Sequence, residues 1–80
     1  MTREELLQRI TSDPNICGGR PCIRGTRIDV AIVLDSMSEG LTAAEIIDHY
    51  PHLTVDDIRA ACAFGGELAR ENIWHVAAGS

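Results

Sequence analysis

The chain has 80 residues, a formal net charge of −5 and 45% hydrophobic residues, with a single Phe, Tyr and Trp among them. At this length one domain is expected, burying only roughly 60% of its unfolded surface, so the core is aliphatic and a small homo-oligomer is favoured. The acidic balance argues against a broad nucleic-acid-binding face, and no run approaches the ~18 apolar residues of a membrane span.

The first ten residues are charged and hold no secretory pattern, and Cys17, Cys22 and Cys62 are odd in number. Both features predict a reducing cytoplasm. Thr2-Arg3-Glu4-Glu5 has the form of a capping box, and Leu6, Leu7 and Ile10 fall on one side of a short helix of about two turns. Ser12-Asp13-Pro14-Asn15 ends that helix, because the residue before a proline is pushed out of helical geometry. Ile16-Cys17 and Cys22-Ile23 then flank Gly18-Gly19-Arg20-Pro21 and read as two very short paired strands.

The stretch from Gly18 to Arg27 holds three of the seven arginines, three of the seven glycines and no acid. Arg20, Arg24 and Arg27 on such a turn form a compact cationic surface whose forked donors suit phosphates or carboxylates. The competing reading is a solvated or internally paired turn. Cys17 and Cys22 fit a redox-sensitive pair, half a metal site, or simply small apolar side chains. His49, His52 and His75 are not spaced to complete a zinc site, so neither metal nor cofactor is assigned.

From Ile28 the apolar period becomes helical. Asp29 as N-cap and Gly40 as the residue past the end frame a helix over about 30–39. Thr42-Ala43-Ala44-Glu45 is a second capping box, opening a short helix with Ile46, Ile47 and Tyr50 that Pro51 ends. A longer helix begins at Thr54, with Asp56 and Asp57 in its first turn, and reaches about Asn72. This order is that of a helix-turn-helix in a three-helix bundle. The outward candidates on the last helix, Val55, Asp56, Arg59, Ala60 and Ala63, offer one arginine, Arg59, as a DNA contact. Residues 1–40 carry five arginines and six acids, and residues 41–80 two arginines and six acids. Any phosphate contact is therefore expected at Arg20, Arg24 and Arg27.

Gly65-Gly66 lies mid-helix, where each glycine costs about 1 kcal/mol against alanine. Ala61, Gly65 and Ala69 form a smooth ridge flanked by Ile58, Cys62 and Leu68, which predicts a packing seam to the first bundle helix or to a symmetry mate. Trp74 is an anchor for the chain's own core or for a partner. No Ser/His/Asp order, phosphate loop or paired metal carboxylates are present, and His49 and His52 read as a solvated turn, so no enzyme is expected.

Residues 13–28, from Asp13-Pro14-Asn15-Ile16 through Arg24-Gly25-Thr26-Arg27-Ile28, together with Glu39-Gly40-Leu41-Thr42, Glu45-Ile46-Ile47, Tyr50-Pro51 and Leu53 through Ile58, resemble the DUF433 family of small bacterial proteins. The likeness covers about residues 10–65. It implies a homeodomain-like helical domain, and with the elements read above the expected fold is a mainly α three-helix bundle with a helix-turn-helix, preceded by a short helix and a small irregular β-hairpin. A single domain over 1–80 follows: helix and Gly/Arg-rich loop to 28, bundle over 29–73, tail over 74–80. The resemblance also implies a homodimer and the antitoxin half of a type II toxin–antitoxin pair, with a PIN-like ribonuclease as partner. The leading expectation is an adaptor that neutralises this toxin and helps repress its own operon through operator DNA. The alternatives are a stand-alone helix-turn-helix regulator or a structural interaction domain.

Overall fold

The computed structural model describes residues 1–71. Among these the chain is mainly helical, with a two-stranded antiparallel sheet: α1 (Arg3–Leu7), β1 (Ile10–Thr11), β2 (Cys22–Ile23), α2 (Val30–Ser38), α3 (Ala43–His49) and α4 (Val55–Glu71). Helices α2, α3 and α4 pack as a small bundle, and α1 lies along α4.

Both predicted capping boxes are present. Thr2 Oγ1 accepts from the Glu5 amide at 3.2 Å while Glu5 Oε1 accepts from the Thr2 amide at 2.9 Å. Thr42 and Glu45 repeat the exchange at 3.2 and 3.0 Å. Asp29 caps α2 by accepting from the Ala31 amide at 2.9 Å. Gly40, at φ 94°, ends it, with Leu41 N donating to Ser36 O and Gly40 N to Met37 O. These are the paired bonds of a Schellman stop.

Two expectations are corrected. Helix α1 stops at Leu7, and Ile10 lies in β1 opposite Ile23, with Thr11 opposite Cys22. The β-branched pair Ile10-Thr11 gains more by closing over the buried Cys22-Ile23 than by adding one weak helical turn. Ile16-Cys17 does not pair with Cys22-Ile23. Asn15 N donates to Asp13 Oδ1 and Ile16 N to Asp13 O, so Asp13 to Ile16 form a tight turn. Cys17, Gly18 and Gly19 then follow at φ 53°, 64° and 83°, a geometry no strand adopts. The second neighbour of β2 is the segment entering α2, where Ile23 N donates to Ile28 O and Val30 N to Pro21 O.

Ile23, Val30, Val33, Ile46, Leu53, Ile58 and Ala61 form the buried core, so every element from β2 onward contributes to it. Within α2 the apolar face is narrower than its composition: Val30 and Val33 are buried, whereas Ile32 and Met37 are exposed. Helix α4 runs unbroken through Gly65 and Gly66. A Cβ on Gly65 would stand 3.2 Å from Leu34 Cδ1, which shows how closely α2 approaches this point.

Candidate functional site

Because β2 pairs with the segment entering α2, the hairpin turn is Ile23-Arg24-Gly25-Thr26, six residues beyond Gly18-Gly19. Thr26 fastens it: its amide donates to Ile23 O at 3.0 Å, its hydroxyl to the same oxygen at 2.8 Å, and that hydroxyl accepts from Ile28 N at 3.0 Å. Gly25 supplies the positive φ, 80°, and an added Cβ there would meet nothing within 4 Å. Arg24 and Arg27 are therefore carried outward on a turn whose backbone is fixed from within.

The structure separates Arg20 from these two. Its guanidinium is ion-paired with the buried carboxylate of Asp29 through Nε and Oδ2, although its side chain remains 70% exposed. That pair joins the Gly-rich loop to the cap of α2. Four further arginines are matched in the same way. Arg3 pairs with Glu67, Arg9 with Asp57 at 3.0 Å, Arg59 with Asp56 at 3.3 Å and Arg70 with Glu67 at 3.0 Å. Among the described residues, only Arg24 and Arg27 of the seven arginines have no acid partner, and both stand on this turn.

Arg24 also lines an open polar groove of about 610 Å³ with Met1, Glu5, Gln8, Arg9 and Asp57. Arg9 was not among the residues singled out from the sequence. Its partner lies 48 residues away, and no local spacing reveals a pair that only the packing of the α1–β1 connection on α4 creates. Arg24 N donates to Arg9 O at 2.7 Å, so the turn and the groove wall share a backbone bond.

The other singled-out residues are spread over the fold. Arg59 is exposed, and its bond to Asp56 cancels much of the charge that α4 offers at its start. Ala60 was expected to face outward, but it is fully buried, because α1 covers that side of α4. Of the seam, Ile58 and Ala61 lie in the core, Gly65 faces Leu34, and Cys62 Sγ contacts Met37 Sδ at 3.5 Å, so this part is packed within the chain. Leu68 and Ala69 are exposed, and Leu68 borders an apolar groove of about 180 Å³ with Pro21, Ala31, Leu34 and Phe64. Trp74 lies outside the described residues.

Cys17 and Cys22 are free thiols beside the hairpin, the first half-buried and the second fully buried. Burial pushes the Cys22 thiol up, and the neighbouring Cys17 adds to the rise. Among the described residues, no three His, Cys, Asp or Glu side chains come together as a metal-binding group, and no helix is long and apolar enough to cross a membrane.

The comparisons agree with this architecture. A crystal structure of a DUF433 member protein from Anabaena variabilis ATCC 29413 superposes with a TM-score of 0.74 at 31% identity, over 85% of this chain and 67% of that one. An uncharacterized protein, y4eO, of Sinorhizobium fredii (strain NBRC 101917 / NGR234) is 36% identical over 55 residues, 69% of this chain. The match spans a quarter of that relative's length. The family pattern described as "Protein of unknown function (DUF433)" matches residues 10–65, from the first strand through Gly65, and so includes the whole arginine-bearing hairpin. The chain belongs to the DUF433 family.

Proposed function

We propose that the chain is an antitoxin-like adaptor that binds an acidic site on a partner nuclease of the PIN-like kind through Arg24 and Arg27. The observation that supports this most is the matching of charges. Five arginines are used inside the described fold, and the two left over share one rigid turn. A nuclease that holds metal with clustered carboxylates offers the complement, since a guanidinium fork grips a carboxylate with two parallel hydrogen bonds. Fixing the turn through Thr26 lowers the ordering cost of that contact. In this reading the chain works in the cytoplasm as a homodimer and has no catalytic activity of its own.

Operator binding is the second reading, favoured by the order α3, turn, α4 and by the exposure of Val55 and Arg59 at the start of α4. Asp56 and Asp57 in the same turn weaken it as a primary role, because a reading helix needs a basic approach to phosphate. The test is co-expression with the product of the adjacent reading frame, tagging only the neighbour. The adaptor reading predicts a complex of defined stoichiometry and a neighbour that is toxic alone. A harmless neighbour that forms no complex contradicts it, and salt-sensitive binding of the chain alone to its own promoter then supports the regulator.

A further inference from the structure

Cys17 occupies an unusual backbone position. It opens a run of three residues with positive φ, and the other two are glycines. A turn of this shape is served with least strain by glycine or asparagine, so a cysteine at φ 53° invites the question of what its side chain does there. The thiol is turned towards the hairpin: Cys17 Sγ donates to Arg27 O at 3.1 Å, and Cys22 Sγ reaches Thr26 O at 3.8 Å. Two consecutive carbonyls of one turn thus hold both sulfurs against the same short segment. A small apolar plug explains the fully buried Cys22, but it does not explain the half-buried, strained Cys17.

We propose that Cys17 and Cys22 are a reversible thiol–disulfide site that closes a ring around Gly18, Gly19, Arg20 and Pro21. The co-reactant is a low-molecular-weight disulfide of the glutathione class. The Cys17 thiolate attacks one of its sulfurs, the small S–S bond breaks, and one small thiolate leaves and takes up a proton. The Cys22 thiolate, its proton released to solvent, then attacks Cys17 Sγ and expels the second small thiol. Two protein thiols are oxidised to one disulfide as one small disulfide is reduced to two thiols. Cys17 attacks first because it is the more accessible, while burial disfavours the Cys22 thiolate. Cys62, an exposed thiol beside Met37 of α2, takes no part in the ring and can at most carry a glutathione of its own. The proposal stands apart from the adaptor reading, since ring closure requires no partner.

The test equilibrates the full chain with reduced and oxidised glutathione at graded ratios, quenches with acid, alkylates and weighs the protein. The expected product has lost two hydrogens at Cys17 and Cys22, gives a linked Cys17–Cys22 peptide and reverts with dithiothreitol, with the exposed Cys62 carrying either an alkyl group or a glutathione of its own. C62S, which lacks the exposed third thiol, should give the same linked peptide with no alkyl group and no glutathione. C22A should stop at a persistent glutathione adduct on Cys17, a readout of the missing second attack. C17G, whose glycine suits the backbone, should stay folded and form no internal disulfide. Three alkylated thiols under a large excess of oxidised glutathione would overturn the proposal. So would a C62S adduct that never resolves, or cross-links formed only between chains.

Discussion

Asp57 joins two distant parts of the chain with one carboxylate. Oδ2 accepts from the Thr54 amide at 2.9 Å, closing the first turn of α4, and Oδ1 accepts from Arg9 at 3.0 Å. The residue is buried, so removing it frees the Thr54 amide, although Thr54 Oγ1 still accepts from the amide at 57, and leaves Arg9 only the more distant Asp56 at 4.0 Å. Asp57→Ala should therefore cost about 2 kcal/mol in urea unfolding, and Arg9→Ala clearly less, because the Arg9 side chain is about one-third exposed. Equal losses would contradict this division of roles. The acid was legible only as one of two first-turn acids that complement the α4 dipole, since helix starts announce themselves locally. Arg9 was not, because its role depends on a contact across 48 residues. The same limit applies to the arginine trio. Sequence spacing groups Arg20 with Arg24 and Arg27, whereas the buried Asp29 withdraws Arg20 into the fold.

At the level of elements, helix ends were readable and strand partners were not. Caps use residues within five positions of one another, so Thr2, Asp29, Thr42 and Gly40 marked their helices correctly. The sheet depends on which of several short apolar pairs meets Cys22-Ile23, and that choice is made by the Asp13–Ile16 turn and by the positive φ at Cys17. The capping boxes also set a pH dependence. The Thr2 amide and hydroxyl hold the Glu5 carboxyl below its ordinary value, and those of Thr42 do the same for Glu45. Across the interval between the lowered folded values and the ordinary unfolded one, about 4.3, the unfolded chain binds more protons, so stability rises with pH. This contribution is complete above the unfolded value and is lost as pH falls through the folded ones. The double variant Glu5→Gln, Glu45→Gln keeps a capping partner and should flatten the acid limb of a stability–pH curve measured by urea unfolding. An unchanged slope would count against the mechanism. Within α4 the two glycines should respond differently to alanine. A Cβ on Gly66 meets the far end of the long Arg70 side chain, at 3.5 Å, so Gly66→Ala should raise stability by about 0.5–1 kcal/mol through helix propensity. Gly65→Ala should gain less, because Leu34 must give way at 3.2 Å, and thermal melts of the two variants will rank them.

Over the whole molecule, twelve acids face seven arginines, yet the charge is not spread evenly. Internal pairing neutralises the arginines on α1, α4 and the Gly-rich loop, which leaves a local cationic turn on an acidic body. Such a surface suits a compact acidic site on a protein better than the long phosphate track of a nucleic acid, whose affinity would require many basic contacts. Fold and family were legible because the motif from Asp13 to Ile28 and the helix caps are local features. The identity of the free arginines emerged only when every acid had been placed in three dimensions. The most direct test of this account is a binding titration of the captured neighbour with wild type, Arg20→Ala and the double variant Arg24→Ala, Arg27→Ala, each at a temperature well below its own melting transition. The account predicts that the double variant loses about 100-fold or more in affinity while Arg20→Ala binds nearly as wild type. A double variant that binds as tightly as wild type would contradict it.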